Sequence, residues 1–140
     1  MAKFNKQELA VRFFSDGREC IKSADILYHE KGRGNRSQFG ILLIHGIELL
    51  LKAYLLLKNV NLPDDPDKID AYLKRLGHKY KDIFDECQKY GNELNDPALE
   101  IYLDSLRHTY YEDSIGVRYI QESEIVLFDP TIFATLTGRL

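Results

Sequence analysis

The chain has 140 residues and a mass of 16.3 kDa, the size of one domain with little left for a second. Hydrophobic residues make up 44% and charged residues 29%, which excludes disorder, collagen-like repetition and a membrane-embedded protein. A net charge of −3 and a pI near 5.8 carry no overall basic signature of nucleic-acid binding.

Apolar residues at Leu9, Val11, Phe13, Phe14, Cys20, Ile21, Ala24, Ile26, Leu27 and Tyr28 recur mostly at three- and four-residue steps. This predicts a long amphipathic helix from Lys6 to about Glu30, with Asn5 as its N-cap. Gly17 weakens that helix locally without ending it. The stretch Lys31-Gly32-Arg33-Gly34-Asn35-Arg36 breaks the pattern, its glycines supplying turn geometry. Lys31, Arg33 and Arg36 stand beside exposed N–H groups there and are candidates for phosphate or RNA contact. The P-loop order of Gly-Lys-Ser/Thr opening a helix after a strand is not met.

From Phe39 to Leu57 the sequence is nearly apolar all round. Nineteen such residues are enough to span a membrane, but ionisable groups are costly in lipid, and His45, Glu48 and Lys52 lie inside the run. At about 100° per residue these three share one narrow polar stripe, which Gln38 and Asn59 extend. The pattern predicts the central helix of a bundle rather than a membrane span. Glu48 and Lys52 form an i,i+4 pair that needs internal partners if buried, and His45 beside them could move a proton.

Asp65-Pro66, Asp96-Pro97 and Asp129-Pro130 each join an N-cap residue to a first-turn proline, predicting helix starts near 66, 97 and 130. The first helix runs through Ile69, Leu73 and Leu76 to Gly77, and a further one runs from about Tyr80 to Tyr90 before Gly91. His78, directly after Gly77, is placed to cap locally or to bond across to the central helix. Helical periodicity ends near Tyr111, and a small hairpin or extended arm is expected within 115–128. The sum is an all-α bundle of four to five helices forming one domain over residues 1–140.

Charge is unevenly spread. Residues 1–36 hold eight Lys/Arg against five Asp/Glu, residues 37–91 eight against eight, and residues 92–130 two against nine. Arg107, His108, Tyr110 and Tyr111, with Arg118 and Tyr119 further on, place cations beside aromatics, residue types that grip phosphates and stack bases. The four histidines are scattered and form no HExxH or Cys/His cluster, so no metal and no cofactor is expected. Cys20 and Cys87 lie far apart and read as ordinary thiols of a reducing compartment. No apolar leader follows Met1, and a cytoplasmic chain is expected.

His45-Gly46-Ile47-Glu48-Leu49-Leu50-Leu51-Lys52-Ala53-Tyr54-Leu55-Leu56, followed after a spacer by Leu76-Gly77-His78-Lys79-Tyr80, resembles the core of the HEPN superfamily. These are small helical domains of toxin–antitoxin, defence and nucleotide-related proteins, and the likeness covers roughly residues 5–111. It implies a helical bundle, a homodimer, and association with RNA, a nucleotide or a cognate protein. Active HEPN ribonucleases carry an Arg followed after four to six residues by a His. No histidine here has that partner: Lys22, Ser23 and Ala24 stand before His29, and Gln38, Phe39 and Gly40 before His45. Ala71, Tyr72 and Leu73 stand before His78, and Ile101, Tyr102 and Leu103 before His108. The resemblance therefore implies a non-catalytic domain. The alternative is a divergent metal-independent endoribonuclease built on Arg107, His108 and Arg118.

Overall fold

A computed structural model describes residues 5–29 and 36–104, apart from 93, 96, 98 and 102 and from the side chains of 28, 29 and 36–39. Four helices follow in order: α1 (Lys6–His29), α2 (Arg36–Lys58), α3 (Pro66–Leu76) and α4 (Tyr80–Cys87). A fifth stretch, α5, has helical backbone at 97, 99–101 and 103–104. Among the described residues there is no strand, and the fold is all-α. The arm expected within 115–128 and the helix start near 130 lie outside the described residues.

α1 begins where an orphan N–H finds a partner. Asn5 Oδ1 accepts from the Glu8 N–H at 2.8 Å, and Asn5 Nδ2 donates to Glu8 Oε1 at 2.9 Å. This reciprocal arrangement satisfies the first turn in the manner of a capping box. The same end is tied to the far end of α2, because Lys6 Nζ donates to Asn59 O at 2.7 Å and Leu62 O at 2.8 Å. A cation on carbonyls that follow a helix C-terminus also complements its dipole.

α1 and α2 pack antiparallel along most of their lengths. Their closest approach is at Gly17 and Gly46: a Cβ on Gly46 would lie 2.8 Å from Ile21 Cγ1 and 2.9 Å from Gly17 O. Gly17 is therefore where the second backbone comes in, not merely a weak point of α1. Ala10 and Ala24, seven residues to either side, are buried on the same side. α2 fills the middle of the molecule. Leu43, Ile44, Ile47, Leu50, Leu51 and Leu55 are fully buried, each contributing about 1.5–3 kcal/mol. Gly40–Lys58 is long and apolar enough to cross a membrane, yet 72% of its apolar window is buried inside the bundle.

The helix starts near 66 and 97 both stand. Asp65 Oδ1 accepts from the Asp67 N–H at 3.0 Å with Pro66 in the first turn, and residue 97 is the first described helical residue of α5. Two boundaries differ from the sequence reading. α2 opens at Arg36 rather than Phe39, because the polar residues before Phe39 add a turn that apolar periodicity cannot register. α4 ends at Cys87 rather than near Tyr90, because the Lys89 and Tyr90 N–H groups bond three residues back, to Glu86 O and Cys87 O. That spacing tightens the chain out of the α-helix.

Candidate functional site

Among the described residues of α2, Glu48 and Lys52 are the charged side chains that the bundle encloses, each only 6% exposed. Lys52 Nζ donates to Glu48 Oε2 at 3.1 Å, so neither charge is buried alone. A third group arrives from the α3–α4 connection. Gly77 takes φ +71°, its N–H donates to Leu73 O at 3.3 Å, and the chain turns sharply out of α3. That conformation favours glycine. The next residue, His78, then places Nδ1 3.2 Å from both oxygens of Glu48. The His78 ring stays 76% exposed, so this contact is screened by water while the Glu48–Lys52 pair is not.

Of the four residues read as a polar seam, the structure brings together Glu48, Lys52 and His78. It does not bring in His45, which is exposed on α2. A step of three residues turns His45 about 60° from Glu48, enough to move it from the enclosed strip to solvent. Asn59, the lower end of the stripe, is buried past the end of α2, where its Oδ1 accepts from the Asn61 N–H at 3.2 Å. Arg36 opens α2, with its side chain outside the described set, and Lys31, Arg33, Arg107, His108 and Arg118 lie outside the described residues altogether.

The chemistry open to this node is limited by its own bonds. A general base needs a lone pair turned to a substrate. The Glu48 oxygens face Lys52 and His78 instead, and the side chain is 7% exposed. Neither thiol is primed as a nucleophile. Burial raises the Cys20 thiol, with Asp16 and Glu19 adding to it, and burial raises Cys87, which donates to Leu51 O at 3.5 Å. Among the described residues no group of three His, Cys, Asp or Glu side chains is placed to hold a metal ion.

Two arrangements were not legible in the sequence. Lys81, largely buried over the Phe84 ring, lies 3.6 Å from Asp85, 3.8 Å from Glu100 and 3.5 Å from Asp104, tying α4 to α5. Only the Lys81–Asp85 spacing could have pointed to it. An open groove of about 420 Å³ runs between the end of α3 and α4, lined by Arg75, Leu76, Asp82, Glu86 and Lys89. Glu86 already accepts from Lys89 Nζ at 2.9 Å and from the Tyr90 hydroxyl at 3.4 Å.

The chain matches no protein family, no curated protein and no solved structure.

Proposed function

We propose that this chain is a non-catalytic, HEPN-like helical module of the cytoplasm. In this reading it works as a homodimer associated with RNA, a nucleotide or a cognate protein, in a toxin–antitoxin or defence setting. The observation that carries the reading is the Glu48–Lys52–His78 node. The residues on which the resemblance rests, the Glu and Lys of the apolar helix and the His after Gly77, meet in space as one hydrogen-bonded set. That set joins the central helix to the turn between α3 and α4, which is the work of a structural tie. A carboxylate enclosed between a lysine and a histidine is spent on the fold, leaving binding and pairing to the outer faces.

Incubation of the purified chain with mixed RNAs in the absence of metal tests this. The expected result is intact RNA. Cleavage that disappears in His108→Ala would overturn the reading in favour of a ribonuclease using Arg107, His108 and Arg118.

A further inference from the structure

Val11, Ser15, Arg18, Lys22 and Ile26 follow one another along α1 at steps of four, three, four and four. At about 100° per residue they span roughly 80° of the helix surface. All five are exposed, Val11 by 61% and Ile26 by 57%. Gly17 and the buried Ala10 and Ala24 lie on the other side of α1, so the stripe points away from the bundle. Arg18 is held 5.6 Å above the Phe14 ring, and neither Arg18 nor Lys22 is paired with a carboxylate among the described residues. The result is a cationic centre between two apolar ends.

The same chain carries a segment of complementary chemistry. Residues 112–129 hold Glu112, Asp113, Glu122, Glu124 and Asp129 against the single cation Arg118, interleaved with Ile115, Val117, Ile120 and the run Ile125–Phe128. Seven residues lie between Asp104 and this segment, a reach of at most about 28 Å from the end of α5. Resting on the homodimer reading above, we infer that the α1 stripe of each copy receives the acidic, apolar segment 112–129 of the other. In a two-fold pair each copy supplies one stripe and one segment, so the contact is made twice. Charge complementarity of this kind sets partner choice and register, and apolar ends beside it supply area removed from water.

Charge exchange tests the inference, because Arg18 and Lys22 are exposed on α1 and their exchange leaves the described core untouched. We expect wild type to run at the mass of two chains in light scattering at micromolar concentration. Arg18→Glu/Lys22→Glu and Glu122→Lys/Glu124→Lys should each dissociate about tenfold or more readily and run at the mass of one. Mixing the two variants restores both contacts, since each acidic stripe then meets a basic segment and each basic stripe an acidic one. A two-chain mass for the mixture alone therefore supports the inference. Variants that stay paired separately, or a mixture that stays apart, would overturn it and leave the homodimer reading standing. A single-chain mass for wild type would overturn both.

Discussion

Glu48 is the side chain on which the account turns, and its surroundings dictate what its removal costs. In Glu48→Ala the Lys52 ammonium, 6% exposed, keeps its burial and loses its partner. Breaking a buried pair in this way should cost about 2–4 kcal/mol, read as a lower midpoint in chemical denaturation. His78→Ala should cost below about 1 kcal/mol, because its ring is 76% exposed. Equal losses for the two variants would contradict this ranking. The spacing of Glu48 and Lys52 made their pairing legible in the sequence. The exclusion of His45 was not legible, since a helical stripe does not say where its neighbours stop covering it. Titration follows burial as well. Burial pushes the Tyr72 hydroxyl up to about 12 and raises the Cys87 thiol. The folded chain then holds protons that the unfolded chain releases, so stability falls as pH rises from about 9 towards 12. Tyr72→Phe should flatten the upper part of that fall, and an unchanged profile would contradict the burial of its hydroxyl.

Between elements, glycine geometry decides more than helix propensity does. An exposed helical Gly→Ala change gains about 1 kcal/mol of propensity. At Gly46 the new Cβ would stand 2.9 Å from the backbone oxygen of Gly17, a neighbour that cannot swing away. Gly46→Ala should therefore destabilise by about 1–3 kcal/mol as α1 and α2 are pushed apart. Gly77→Ala meets nothing within 4 Å, and its cost is set by the backbone at φ 71°, ψ −151°, a region essentially reserved for glycine, at about 1–3 kcal/mol. Thermal or urea unfolding of the pair checks both values, and a stabilised Gly46→Ala would show that the two backbones do not meet there. Helix starts that carry a capping side chain were legible in the sequence. Asn5 and Asp65 act through short local bonds that their own side chains announce. The early end of α4 depends on backbone bonds from Lys89 and Tyr90 that no residue type there signals. Gly17 could be located in the sequence but not interpreted, because the approaching backbone belongs to a helix about thirty residues on.

For the whole molecule, a nearly all-apolar α2 could be read as a core helix because His45, Glu48 and Lys52 interrupt it along one narrow stripe, and α1 and α4 pack against it. The charge asymmetry was equally visible, but its meaning depends on which faces meet, which spacing alone does not tell. The two thiols report on the enclosure. Cys20 is half-buried and Cys87 is 1% exposed, so a thiol reagent should label Cys20 first and reach Cys87 only on unfolding. Equal labelling rates in the native protein would mean that the core is open. The proposal that the enclosed node holds the fold while the outer faces pair two copies is tested most directly by the mass of the purified chain in solution. Light scattering at micromolar concentration should give twice the 16.3 kDa of one chain. A mass of one chain across that range would contradict the account.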